Sequence, residues 1–433
     1  MRSDPVTNPA RSTPILWTQV SSLALVQGAI TLSWVIYNLY LVDLLTGLGF
    51  PQAWAAGLLV LENLLGIAME PLMGSLSDGR QHWVGSRFPM IALGMVLSAG
   101  LFFLIPTALI WGQSAVLRWL LPPLLVAWAL AMTVFRSPAL SLLGRYAFRT
   151  QLPQAAAVLT LVGGLAGAMG PLSNQWILSL GPWVAFAAGS VVLLGAMVAL
   201  RGAGPNQTVV ALEALGELAG EPGLAGEPGL QGGDAGADRP FSPLAGISIP
   251  SLALVFGTGV GVTLGFRLIL TTFPVVLNQQ VPNANVATTM GLVFLALAFT
   301  ALPAGTLATR LGNRRAMVAG LALLALLAAV MVTVQNSVMG LALAILFGGS
   351  FSLVANGTLP FALAMVPPAK AGLGTGMYFS GGALAMTLWG RFLGGNVLAP
   401  GWSALLAALA FLGAGLCVGA SHRTQPNHSA QLS

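Results

Sequence analysis

The sequence predicts an all-α polytopic membrane protein: twelve transmembrane helices in two pseudo-symmetric six-helix bundles. Three observations carry that expectation. Of its 433 residues, 56% are hydrophobic and only 6% charged, with a mean hydropathy of +0.86, whereas a soluble domain is typically about 25% charged. Apolar runs of roughly 20 residues, enough to cross about 30 Å of hydrocarbon, recur from end to end. The runs are continuous rather than alternating, which excludes a membrane barrel and leaves helices, whose backbone hydrogen bonds close within the segment.

Pro, Gly and polar punctuation sets the spans near residues 16–42, 52–76, 89–110, 119–142, 153–177, 182–200, 247–274, 286–308, 316–334, 338–366, 371–396 and 402–420. The basic residues support this count. With the N-terminus inside, Arg2, Arg11, Arg80, Arg87, Arg145, Arg149, Arg201, Arg239, Arg310, Arg314, Arg315, Lys370 and Arg423 fall on the cytoplasmic side, and Arg118 alone on the other. Both termini are therefore expected in the cytoplasm, and the high pI of about 10.4 reads as topology rather than nucleic-acid binding. The polar N-terminal segment lacks an adjacent apolar core and cleavage site, so the first helix is expected to be an uncleaved anchor. The single cysteine, Cys417, excludes an internal disulfide or a Cys-based metal site.

Residues 202–246 are polar, Gly-rich and acidic, with glycine at every third position from Gly220 to Gly232. That is the collagen period, but it is too short to hold a triple helix, and a disordered cytoplasmic linker is expected. It separates an N-terminal bundle, 1–201, from a C-terminal bundle with a short tail, 247–433. The halves echo each other: GSLSDGRQHWVGSR follows span two, and GTLATRLGNRR follows span eight, with Thr309 where the first copy has Asp78. The stretch Glu70–Ile91 reads as a charged loop and hinge between spans two and three.

These segments resemble the major facilitator superfamily, whose signature between helices two and three is Gly-x-x-x-Asp-Arg-x-Gly-Arg. Here Gly74, Asp78, Arg80, Gly85 and Arg87 match it, with a weaker copy in Gly305, Arg310, Gly312, Arg314 and Arg315. More narrowly, Leu48–Ile91 is similar to sucrose carriers and to glycoside–pentoside–hexuronide symporters through Pro71, Gly74, Ser77, Asp78, Gly85, Arg87 and Pro89. RSPALSLLGRYAFRTQLPQAAAVLTLVGGLAGAMG is a fainter match to their fourth and fifth helices. Two positions depart: Arg145 and Gly66 stand where those carriers keep acids. The resemblance implies alternating access by a secondary carrier of a sugar or glycoside, coupled to a proton or another cation.

Charges inside a bilayer are costly and mark candidate sites. Glu62, near mid-span, is the candidate for proton coupling, since a carboxyl in a low-dielectric cavity can exchange a proton at physiological pH; a structural hydrogen bond to a neighbouring helix is the alternative. Glu70, Gly74, Asp78, Arg80, Gly85 and Arg87, with Arg136 as partner of Asp78 or Glu70, form the candidate gate at the cytoplasmic edge; a purely topological cluster is the alternative. Arg267 and Arg391, placed toward the outer ends of spans seven and eleven, either bind an anionic or polyhydroxylated substrate or snorkel. Tyr37, Asn38, Asn63, Asn174, Asn356 and Tyr378 can bond hydroxyls, and Trp34 or Trp389 can stack on a sugar face; each also fits ordinary helix packing.

No nucleophile–base set, nucleotide loop or metal cluster is present in the sequence, so neither an enzyme nor a cofactor is expected. The expected partners are a small solute, a proton or other cation and the lipid bilayer, around a monomer. Two other functions share this architecture: an exporter of hydrophobic or drug-like compounds, and a non-transporting assembly factor for a membrane complex.

Overall fold

The computed structural model describes residues 15–84, 86–111, 114, 116–204, 248–282, 284–393 and 398–423. Twelve long helices follow one another: α1 Trp17–Gly47, α2 Ala53–Val84, α3 Phe88–Leu104, α4 Leu121–Ser141, α5 Leu152–Ser179, α6 Gly181–Gly202, α7 Ile249–Gln280, α8 Val286–Leu311, α9 Asn313–Val330, α10 Ser337–Ala364, α11 Ala371–Leu388 and α12 Pro400–Ala420. Local chemistry sets their ends. Prolines occupy the first turn of α3, α4, α5, α6, α7 and α12, where an amide is dispensable. Asn285 and Asn336 cap α8 and α10 by accepting from the Thr288 and Met339 amides at 3.0 and 2.8 Å. Gly312, at φ +87°, turns the chain between α8 and α9 without strain.

Two hydrophobic cores result. One is built from α1–α6, with Leu359, Leu363 and Ala371 reaching in from the second half; the other is built from α7–α12. The linker expected at 202–246 lies almost entirely outside the described residues.

Eleven of these helices are long and apolar enough to cross a membrane. The exception is α11, whose sequence AGLGTGMYFSGGALAMTL is diluted by glycine, serine and threonine. Those same glycines let it pack backbone to backbone. A Cβ on Gly376 would stand 2.4 Å from the Glu70 carbonyl oxygen of α2, and one on Gly381 would stand 2.1 Å from that of Phe256 in α7. Helix α11 is thus wedged between α2 and α7, and small residues permit the approach. The equivalent second seam between the halves joins α8 to α5, where Gly305 meets Pro153 and Ala157, and Gly164 meets Leu297 and Ala298.

One expectation is corrected. The segment Glu70–Ile91 is mostly helix: α2 runs without a break through Pro71, Gly74, Asp78 and Arg80 to Val84, and α3 starts at Phe88. Glu70, Ser77, Asp78 and Arg87, which suggested a loop, are instead buried, and neighbouring helices supply Glu70, Asp78 and Arg87 with partners that water would supply in a loop.

Gly376→Val drives a side chain into the α2 backbone and should destabilise the protein by about 1–3 kcal/mol, as overpacking does. Gly57→Ala, in the same protein, meets nothing within 4 Å and should be neutral. Thermal unfolding in detergent compares the two.

Candidate functional site

The polar residues inside the helices form three groups. The first is a tie between the halves at the face carrying the connection from α2 to α3. Asp78, buried near the end of α2, accepts from the Gly372 and Leu373 amides, each at 2.9 Å. These are amides of the first turn of α11, which has no side-chain cap of its own. Asp78 therefore caps a helix of the opposite half, placing a negative charge at the positive end of its dipole. Arg87, also buried, holds Asp78 at 2.5 Å through Nη2 and donates through Nη1 to Ser141 of α4 at 2.5 Å. Gly74 makes room for this, since a Cβ there would lie 2.2 Å from the Gly372 oxygen. Arg80 is exposed and stands outside the cluster. Gly85 lies outside the described residues.

The second group is about two turns farther along α2, toward its start. Glu70 is fully buried and accepts from Arg136 Nε at 2.9 Å, from Arg136 Nη2 and from the Ser137 hydroxyl. Of the two partners expected for Arg136, it takes Glu70 and not Asp78. Its guanidinium carbon also lies 4.5 Å from the ring centroid of Phe379 in α11, so this pair too touches the second half. Ser380 Oγ donates to the Ile67 carbonyl at 2.5 Å along the same seam.

The third group lies about two turns farther along α2 in the same direction, around Glu62. The Tyr37 hydroxyl donates to Glu62 Oε1, while Glu62 Oε2 is buried and has no hydrogen-bond partner. Tyr37 packs with Trp34 and Trp128 at centroid distances of 5.6 and 4.5 Å, and both indole Nε1 atoms are likewise buried and unpartnered. Across α11, Arg267 of α7 lies with its guanidinium carbon 4.0 Å from the ring centroid of Trp389, where α11 continues into a π-helical turn, Trp389–Leu393. Such turns are frequent at functional sites because they re-aim side chains.

The structure moves Arg267 relative to its expected depth. Because α7 extends to Gln280, Arg267 is two to three residues from the middle of the helix, about 4 Å along its axis. Arg391 is exposed beside Phe392. Asn38 and Asn63 donate to the carbonyls of Trp34 and Leu59, and Asn356 to that of Ala301 in α8, while the Asn356 Oδ1 is buried without a partner among the described residues. Asn174 is exposed and accepts from the Gln175 amide. Tyr378 lies edge-on to Phe379 at 5.5 Å. Ser137, Ser141, Trp128 and Phe379 were missed by sequence reasoning. The two serines have a usable signal, since they sit one and five positions after Arg136.

This arrangement defines an integral, multi-pass membrane protein of two six-helix bundles, joined by breakable polar ties and enclosing opposed polar side chains at mid-depth. Comparison with known proteins agrees. Residues 255–433 match the family model described as Major Facilitator Superfamily. The chain is similar in fold to the human organic anion transporter MFSD10 (TETRAN), at 16% identity and a TM-score of 0.60, over 94% of this chain and 100% of that one. It is also similar to the proton:xylose symporter XylE bound to 6-bromo-6-deoxy-D-glucose, at 12% identity and a TM-score of 0.63, over 93% and 94%. No curated protein matches in sequence. The fold is that of the major facilitator transporters, and the C-terminal half carries the family's sequence pattern.

Arg136→Leu strands Glu70, a fully buried carboxylate, and should cost about 3–5 kcal/mol. Glu70→Leu should cost less, because Arg136 retains some solvent. The double variant should recover most of the loss, as a double-mutant cycle of thermal or denaturant unfolding would read out.

Proposed function

We propose that this chain is a secondary active transporter that moves a small solute by alternating access, with Glu62 as its proton-coupling carboxyl and a sugar or glycoside as the first class to test. The observation that carries the reading is the tie from Asp78 to the first turn of α11. It closes one face of the interface between the bundles with hydrogen bonds rather than a continuous apolar core, so it can break and re-form within a transport cycle. By the distribution of arginines this face is the cytoplasmic one, and the state described is closed there.

Glu62 suits coupling because one oxygen is anchored by Tyr37 while the other is free of partners. A proton on the free oxygen removes the charge without dismantling its surroundings. The sugar reading draws on the likeness of Leu48–Ile91 to sucrose carriers and on the fold shared with XylE. Trp34 and Trp389 offer aromatic faces to a sugar ring.

The test is uptake of labelled disaccharides and monosaccharides into proteoliposomes. A symporter takes the proton and solute in the same direction, so an inward proton gradient should accelerate wild-type uptake. Glu62→Gln should abolish that acceleration while leaving gradient-independent counterflow. Uptake indifferent to the gradient, or an unaffected variant, removes proton coupling. Efflux of drug-like compounds without glycoside uptake favours the exporter, and loss of function only on changing lipid-facing positions favours the assembly factor.

A further inference from the structure

We infer that Arg267 is the counter-ion for a carboxylate on the transported solute, so that among sugars and other small solutes this carrier prefers acidic ones to neutral ones. The inference rests on the transporter reading above.

From Arg239 to Ser433 the chain contains no Asp or Glu. Arg267 sits in that half, close to the middle of α7, and the nearer end of the helix is 13 residues away, at Gln280. The last apolar residue before the polar end, Leu277, is ten residues on from Arg267, about 15 Å at 1.5 Å per residue, farther than an arginine side chain spans. Any carboxylate partner from the described protein must therefore come from the first half. Four acids are described there: Asp43, Glu62, Glu70 and Asp78. Glu70 is held by Arg136, Asp78 by Arg87, Glu62 is bonded by Tyr37, and Asp43 is exposed near the end of α1. Among the described residues no ion pair reaches Arg267, and its Nε is buried without a hydrogen-bond partner.

A guanidinium at that depth without a carboxylate is costly unless something else supplies the charge. Trp389 supplies part, through its ring face. The Arg267 Nε is left without a hydrogen-bond partner among the described residues, and a guanidinium with free donors on one edge is suited to bidentate binding of a carboxylate.

The depth of Arg267 relative to Glu62 can be read from α11. A Cβ on Gly390 would touch Val60 Cγ2 at 2.7 Å, and one on Gly66 would touch Ala383 at 3.4 Å. Residues 60 to 66 of α2 thus run beside 390 to 383 of α11, and Glu62 lies at the level of the turn before Trp389. Arg267 and Glu62 stand at similar depth on opposite sides of α11, one cationic and one a carboxyl. An anion accompanied by a proton presents matching groups: the carboxylate to Arg267, the proton to Glu62.

The test uses the whole protein with three probes: glucuronate, glucose and benzoate. Proteoliposome uptake under an inward proton gradient is paired with the ligand-induced shift of melting temperature in detergent. Glucuronate or benzoate should be taken up and should stabilise the wild type, with glucose at least tenfold weaker. Arg267→Gln should erase the preference, and Arg267→Lys should restore part of it. Trp389→Leu, which leaves the charge in place, should raise KM for the carboxylate more than it lowers kcat.

Glucose uptake equal to glucuronate uptake, with both unchanged in Arg267→Gln, overturns the inference while leaving the carrier intact. A melting shift with glucuronate that is lost in Arg267→Gln, without uptake of any probe, keeps the anion site and overturns the transporter reading. Neither uptake nor a shift with any probe overturns both.

Discussion

Asp78 is the residue on which the arrangement of the two halves depends. Its carboxylate must be charged, buried and shared between Arg87 and two backbone amides of α11. Each of those demands fixes another part of the structure. The amides are free because α11 has no cap of its own. Contact is possible only because Gly74 and Gly372 have no side chains at the crossing. Arg87 is aimed by Ser141, which brings α4 into the same network. A single carboxylate thereby orders α2, α4, α11 and the start of α3.

The two seams between the halves are related by the internal repeat but are not equivalent. In the second copy Gly305 keeps the close approach of Gly74, now against the first turns of α5. The position of Asp78 is taken by Thr309, whose hydroxyl bonds the Gly305 carbonyl of its own helix at 3.0 Å. Among the described residues no hydrogen bond joins that hydroxyl to α5. The α5–α8 seam is therefore held by packing, with Leu172 against Gly291 at one end and Ala157 against Gly305 at the other. The α2–α11 seam adds the charged tie. Packing tolerates small rotations with little change in energy, whereas a capping carboxylate is either engaged or released. The asymmetry gives one seam the character of a pivot and the other that of a latch.

Much of this was legible in the sequence, and the failures have physical reasons. Twelve spans follow from apolar runs and the alternation of arginines, and the helices differ from those expectations mainly by a turn or two at their ends. The signature was recognised, but Glu70–Ile91 was read as a loop because Ser, Asp, Gly and Arg favour loops when water is their alternative partner. Here Ser137, Ser141 and the α11 amides replace the water. The sequence reading places Arg267 toward the outer end of a span expected to close near residue 274, whereas α7 continues to Gln280. Pairing among charges was half legible: the candidates for Arg136 were named, but nothing in spacing distinguishes Glu70 from Asp78, eight residues apart on one helix.

The composition of α11 links the fold to the site. Taken alone, its glycines make it a poor candidate for crossing a membrane, since they lower hydropathy and helix propensity together. Lined by α2 and α7, it has less need of an apolar surface toward lipid, and the missing side chains become the means of close contact. That contact fixes the register of α11 against α2 from Gly372 to Gly390. Register in turn fixes the height at which Trp389 emerges, and the Arg267 guanidinium carbon sits 4.0 Å from its ring centroid. The same helix that receives the Asp78 cap at one end therefore positions the cationic face of the candidate site at the other. Release of the cap would move both together, because a helix packed through backbone contacts shifts as a rigid rod rather than by repacking side chains.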